Sequence, residues 1–297
     1  MTDVAAREGV GTVSAIWRFP VKSMQGERLD AAEVTESGIV GDRVYALVDR
    51  ETGKVVSAKH PKKWPNVLAC GARFAEPPVA GEDPPPVQIE LPDGTTVMSD
   101  RPGAGDVLSR WFGREVELAA AAPRDYTIEQ YHPDFDYDPE HRDELVDQRL
   151  GAAFFNERGL PSAVPEDSFF DLFPLSVVAS STLERFAELQ PGSDFDVRRF
   201  RMNLVVDTPA SGFVDNGWVG RQLEIGTGVR VNIAMPDPRC VMPSLAQPGL
   251  ERDGEVLRAI AKHNRLDVAG MRYPCAGVYA LAEARGSVRA GDEVALV

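Results

Sequence analysis

Residues 229–240 read Val-Arg-Val-Asn-Ile-Ala-Met-Pro-Asp-Pro-Arg-Cys, and the fold turns on how that stretch divides. Residues 229–235 read as a short strand. Pro236 and Pro238, with Pro243 beyond, predict a rigid, non-repetitive loop after it, because each proline fixes φ and withholds a backbone donor. Cys240 is delivered at the end of that strand with Arg239 beside it. A neighbouring cation favours thiolate, the form that binds soft metals or attacks as a nucleophile. A buried, inert cysteine is the alternative reading of the same residues.

Working outward, residues 203–207 and 222–225 upstream and 275–281 and 288–297 downstream also read as short strands. Nearer the N-terminus, 13–19 and 43–49 are strands, and the second is followed by a Glu51-Thr52-Gly53 turn and a return strand through Val55 and Val56. Residues 87–91 and 95–98 form a hairpin around Asp93-Gly94, a pair that tolerates the backbone angles of a tight turn. A short helix near 105–112 and a strand near 114–119 complete an N-terminal, largely β unit. The Ala119–Ala122 run and Pro123 mark a boundary, dividing the chain into 1–122 and 123–297. Beyond it, Ser181-Thr-Leu-Glu184 has the pattern of a capping box after the apolar run 172–179, with Pro191-Gly192 as a stop. A helix N-terminus there would offer amides to an anion. Asp253 begins a further helix whose apolar positions are Val256, Leu257, Ile260 and Ala261. The expected class is mainly β with a few helices, and barrel-like.

Composition narrows function. The 297 residues contain 32 Lys plus Arg and 46 Asp plus Glu, a formal net charge of −14. Such a balance argues against nucleic-acid or anionic-membrane partners, so any phosphate must sit in a local basic pocket. The N-terminus lacks a basic segment followed by an apolar one, and no apolar run is long enough to span a bilayer, which together predict a soluble cytoplasmic protein. The three cysteines, Cys70, Cys240 and Cys275, are too few and too scattered for a disulfide framework or an iron–sulfur cluster. Cys70 and Cys275 sit in apolar strand-edge settings and read as core residues. The acidic stretch 131–147 contains Asp134-x-Asp136-x-Asp138 flanked by His132 and His141, but lacks the turn glycine and the terminal Glu of a calcium loop. The sequence contains no phosphate-binding glycine loop, no nucleophile elbow and no His-Glu-x-x-His.

The cations are less easily dismissed. Lys22 lies in Phe19-Pro-Val-Lys-Ser23, Arg43 ends Gly38-Ile-Val-Gly-Asp-Arg, and three arginines fall within Arg198-Arg-Phe-Arg-Met-Asn203. In an extended segment Arg199, Arg201 and Asn203 would share one face. Planar guanidinium groups suit phosphate and an amide suits a heterocycle edge, although salt bridges to the surplus acids would account for the charges equally.

Taken in order, Phe19-Pro-Val-Lys-Ser23, Gly41-Asp-Arg43, Phe173-Pro-Leu175, Arg199-Phe-Arg-x-Asn203, Pro238-Arg-Cys240, Gly277-Val-Tyr279 and Gly291-Asp-x-Val294 resemble the proteins with an N-terminal MOSC β-barrel domain followed by a MOSC domain. These include the mitochondrial amidoxime-reducing components and bacterial reductases of hydroxylamine derivatives. The resemblance implies a molybdenum cofactor, with Cys240 as the protein thiolate on molybdenum. It further implies that Lys22, Ser23 and Arg43 hold the cofactor's phosphate or pterin from the N-terminal domain, that Arg201 and Asn203 contact it from the MOSC domain, and that Arg239 stands beside the metal. The amides near Ser180 and Ser181, and Tyr279, are additional positions it suggests. The implied activity is reduction of small N-hydroxylated or N-oxygenated compounds, with electrons from an external reductase or ferredoxin-type donor; the alternative is a non-catalytic carrier of the cofactor or of sulfur. Pyridoxal phosphate is not expected. Where reductase relatives carry threonines and then Asp-Pro after the Arg-Cys pair, this chain has Val241-Met-Pro-Ser-Leu-Ala-Gln-Pro248.

Overall fold

A computed structural model describes residues 7–123, 126–131, 145–150, 155–157, 162–268 and 270–297. Seven of its strands close into a barrel: β1 (Glu8–Arg18), β2 (Leu175–Ala179), β3 (Leu204–Asp207), β4 (Gln222–Ile225), β5 (Val229–Pro238), β6 (Met271–Ala284) and β7 (Glu293–Leu296). Around the ring they run β2, β3, β1, β7, β4, β5, β6, and β6 pairs back onto β2. All neighbours are antiparallel except β2 and β3, which pair in parallel from Val177 and Leu204 to Ala179 and Val206. Closure leaves no free edge.

The period of two explains the interior. Val177 and Ala179 of β2, Leu204 and Val206 of β3, Val229, Val231 and Ile233 of β5, and Val278 and Ala280 of β6 are alternate residues, all buried in one apolar cluster. Residues of opposite parity, such as Val178 and Val205, face outward. There they meet two helices, α2 (Ser180–Leu189) and α3 (Gly254–His263), through Phe186, Val256 and Ile260. Residues 8–18 thus enter a barrel whose other strands lie beyond residue 174, and Ala31–Thr35 pairs with Gly286–Arg289 in the same manner.

The rest of the N-terminal region forms smaller sheets. Tyr45–Asp49 pairs with Val116–Ala120, while Gly71–Phe74, Val87–Glu90 and Thr96–Met98 form a meander. Helix α1 (Ala104–Phe112) packs over them with Leu108 buried. Their core contains Val21, Leu47, Trp64 and Ile89, and it also receives Met242 and Leu245 from the segment after Cys240. Burying two side chains of that size stabilises the contact by roughly 3–6 kcal/mol.

Four local expectations are corrected. Val55 and Val56 form no strand; Val55 makes only an isolated bridge to Val48. The strand that begins at Val229 continues to Pro238, because register shifts after Ile233 and Pro236 accommodate the prolines without breaking the pairing to β6. The capping box is not formed: no side chain of α2 caps its N-terminus, and Asp215 accepts from the Ala179 amide (3.0 Å) and the Thr182 hydroxyl (2.7 Å). Asp253 does cap α3, accepting from the Glu255 amide at 2.8 Å. The arginine run is not extended, since Val197–Arg199 is a turn of 3-10 helix and Arg201 has φ of 56°. Arg199 and Arg201 consequently point to different places. The acidic Asp134, Asp136 and Asp138 with His132 and His141 lie outside the described residues.

Candidate active site

Cys240 emerges where β5 leaves the barrel and the chain crosses to the N-terminal sheets. It is a free, partly exposed thiol, whereas Cys70 and Cys275 are buried. Burial pushes those two thiols up to about 12, out of the reactive range. Lys59, Arg201 and Arg239 all lie within electrostatic reach of Cys240.

Three turns feed side chains toward this point. In the first, after β1, Lys22 is buried and donates to the Phe169 carbonyl at 2.7 Å and to the Asp171 carboxylate. Lys59 approaches the other oxygen of Asp171 at 2.7 Å. Burial alone would raise the Asp171 carboxyl, but the two ammonium groups outweigh it and hold it far below the usual carboxylate range. In the second turn, Arg43 donates to Asp42 and to the Arg201 carbonyl (3.2 Å). In the third, Arg201 donates to the Met24 carbonyl. The Arg43 and Arg201 guanidinium carbons lie 5.0 and 4.3 Å from the centroid of the Phe19 ring, so one aromatic side chain serves two cations.

Left-handed backbone occurs at five non-glycine residues among those described, three of them here, the others being Ala121 and Asp167. Ser23, Arg43 and Arg201 have φ of 66°, 52° and 56°. Left-handed backbone is disfavoured for side chains with a Cβ and tends to gather at functional sites. Ser23 Oγ meanwhile accepts from the Ala58 amide at 3.1 Å, which places Lys59.

Arg239 donates to Asp237 and to the Phe200 carbonyl. Asp237 is 2% exposed, and burial raises its carboxyl to about 6 in spite of Arg239. Among the described residues the Nε of Arg239 has no hydrogen-bond partner, and the Asp237 carboxylate is approached by the Tyr279 hydroxyl. Tyr279 is electrostatically coupled to Asp237 and stacks on Phe173 with centroids 5.2 Å apart.

The structure therefore brings Lys22, Arg43, Arg201, Arg239, Cys240 and Tyr279 into one cluster of electrostatically coupled groups, with Ser23 next to Lys22 in the first turn. Asn203 stands beside the cluster with its amide already engaged: Nδ2 donates to Asp42 (2.8 Å) and Trp17, and Oδ1 accepts from the amide and hydroxyl of Ser176. It braces β1, β2 and the Asp42 turn. Ser180 and Ser181 are directed elsewhere, to Asp207 and to the Gly212 carbonyl, and the Asp215 carboxylate occupies the helix N-terminus where an anion would dock. Lys59, Asp171, Asp42 and Asp237 were not singled out from sequence. Asp42 and Asp237 adjoin motif residues, but nothing local marks Lys59, which lies 112 residues from Asp171.

The charge inventory tests whether a phosphate-bearing metal cofactor fits. Lys22, Arg43, Lys59, Arg201 and Arg239 are five cations; Asp42, Asp171 and Asp237 are three carboxylates, leaving two positive charges over before the Cys240 sulfur is counted. Unbalanced charge is costly to bury, and a phosphate monoester carries about the opposite amount. Among the described residues no group of three or more His, Cys, Asp or Glu could hold a bare metal ion. A metal at Cys240 would have to bring most of its own ligands, as a dithiolene-bound one does. Arg239 Nε, buried and unpartnered among the described residues, adds a donor for a polar group. The residues fit such a group.

Residues 10–75 match the MOSC N-terminal beta barrel domain and residues 166–295 match the MOSC domain. Curated relatives include mitochondrial amidoxime reducing component 2 of Bos taurus, 27% identical over 96% of this chain and 83% of the relative. The protein of the same name from Rattus norvegicus is 23% identical with the same coverage. Among solved structures, the YUAD protein from Bacillus subtilis aligns over 98% of this chain and 97% of its own, with 12% identity and a TM-score of 0.42. Among the described residues, no helix is long and apolar enough to cross a membrane.

Proposed function

Because the chain is a MOSC-domain protein with a MOSC N-terminal β-barrel domain, we propose that it binds a molybdenum–pterin cofactor at this cluster and reduces N-hydroxylated compounds with electrons from a separate donor protein. The observation that carries the reading is the excess of two positive charges around a partly exposed thiol, in a chain of net charge −14. The names of the amidoxime reducing relatives support the substrate class. Bound there, the cofactor supplies a metal centre able to pass two electrons to the substrate.

The chain's own residues do the remaining work. Lys22, Arg43 and Arg201 hold the phosphate end, with the Asp42 and Asp171 carboxylates keeping those cations in place. Cys240 supplies a soft sulfur ligand, with Lys59 and Arg239 within electrostatic reach of it. Converting an N-hydroxylated base to the base and water consumes two protons. Asp237, buried and with its carboxyl raised to about 6, is placed to relay one of them. The Tyr279 and Phe173 rings offer a flat apolar wall for a planar amidine-type head group.

The test is metal analysis with pterin fluorescence on protein made in a host that synthesises the cofactor. Wild type should hold close to one molybdenum per chain and Cys240→Ala should lose it; reduction of an N-hydroxylated amidine by the loaded wild type, driven by a chemical reductant, completes the claim. A wild type without molybdenum, or a Cys240→Ala variant that keeps it, refutes the cofactor assignment. A loaded protein without turnover refutes the reductase assignment.

A further inference from the structure

The arginine run 198–201 divides its work three ways. Arg198 pairs with Asp196 at 2.7 Å and Arg201 enters the cluster. Arg199 does neither. It is 2% exposed and, among the described residues, donates to backbone carbonyls: Nε to Asp194 (2.8 Å), Nη1 to Pro243 (3.2 Å) and Leu245 (3.3 Å), and Nη2 to Glu251 (2.9 Å). Three of those four acceptors lie on the segment that begins at Cys240. The same segment inserts Met242 and Leu245 into the N-terminal core, and Gln247 accepts from Gln25 at 3.1 Å. Cys240 thus starts a loop gripped on one side by the N-terminal sheets and on the other chiefly by Arg199, whose three bonds to it are joined by one from Arg198 to the Pro248 carbonyl (3.2 Å).

We propose that Arg199 is a positioning residue for Cys240, fixing the 240–251 loop so that the thiol faces the cations of the cluster. A guanidinium suits the task because its donors diverge in one plane and reach carbonyls that are far apart in sequence; an ammonium cannot span them. Pro243 fits the same role: the proline's carbonyl accepts from Arg199, and its fixed φ stiffens the loop at that acceptor. The inference deepens the reading of Cys240 as the ligand-bearing residue, but its primary test needs no cofactor.

In cofactor-free protein, the rate at which iodoacetamide modifies Cys240 under native conditions is measured by peptide mass analysis. Wild type is compared with Arg199→Met and Arg199→Lys, and with Ile225→Ala, a barrel-interior change that lowers thermal stability without touching the loop. Both Arg199 variants should speed modification by about tenfold or more, the factor that corresponds to about 1.4 kcal/mol, while Ile225→Ala keeps the wild-type rate well below its melting temperature. A rate in the Arg199 variants at or below wild type overturns the proposal. So does an equal acceleration in Ile225→Ala, which would mean that general destabilisation exposes the thiol. Should Arg199→Met fail to fold, Arg199→Lys, which keeps the charge, decides the matter alone. A molybdenum-free wild type would refute the cofactor reading and leave this result standing.

Discussion

Asp42 offers the sharpest test of how the cluster is held together. Its carboxylate is 2% exposed and accepts from three donors on separate segments: the Phe19 amide at 2.6 Å, the Asn203 side chain at 2.8 Å and the Arg43 guanidinium. All three partners donate. Asp42→Asn is nearly isosteric but presents an NH2 where an oxygen stood, so at least one donor then faces another donor. It also removes the countercharge nearest Arg43 and raises the excess positive charge of the cluster from two to three. Losing one partner of a buried ion pair costs about 3–5 kcal/mol. At about 2–4 °C per kcal/mol, the melting temperature should fall by roughly 6–20 °C. A second signature follows from the charge: inorganic phosphate should stabilise cofactor-free Asp42→Asn by more than it stabilises wild type, because the variant holds more uncompensated positive charge. Calorimetry with and without phosphate reads both effects. A melting temperature unchanged to within about 2 °C would refute the bracing role, since that is less than 1 kcal/mol. An equal phosphate shift in both proteins would refute the charge inventory.

Burial raises the Asp215 carboxyl to about 6, against 3.8 when unperturbed, so the stability it contributes is full below about pH 4 and lost as pH rises through 6. Between pH 4 and 7 wild type should lose up to about 3 kcal/mol relative to Asp215→Asn in urea titrations; parallel pH dependences would refute this. Glu129 behaves oppositely: burial alone would raise it, but Lys63 and Lys54 hold it at about 2 against 4.5, so its contribution is present above pH 4.5 and lost as pH falls toward 2. Glu129→Gln should flatten that acid limb of the unfolding profile, and an unchanged limb would count against the ion pairs. Gly277 has φ of 79°, and a Cβ there would lie 2.0 Å from Met202 Cε and 2.7 Å from the Val177 carbonyl. Gly277→Ala should destabilise the barrel by about 1–3 kcal/mol, read as a lowered urea midpoint, and a wild-type midpoint would show that the strands can shift to accept it.

What was legible in the sequence was local. The hairpin around Asp93-Gly94, the Asp253 cap and the strands 222–225 and 229–235 follow from neighbours a few residues apart, and all are present. Cys240 could be separated from Cys70 and Cys275 because its Arg and Pro neighbours differ from their apolar ones, and the burial of the other two agrees. Fold class and the order of motifs were readable for the same reason, each motif being a short run. The misreadings share the opposite cause. Ser181-Thr-Leu-Glu184 has the pattern of a capping box, but Asp215, remote in sequence, reaches the helix first. The arginine run has an alternating pattern, but the left-handed turn at Arg201 sends Arg199 to the loop after Cys240 instead of to the cluster.

By itself the sequence determined which segments extend and where they turn, because propensity, turn chemistry and side-chain period act between near neighbours. Only the tertiary structure decided that β1 closes a barrel with strands from the other end of the chain, and that Lys22, Lys59 and Asp171 meet. It alone placed five cations against three carboxylates beside Cys240. Charge pairing and burial depend on distance in space, and chain closure sets that distance between residues that no local pattern connects.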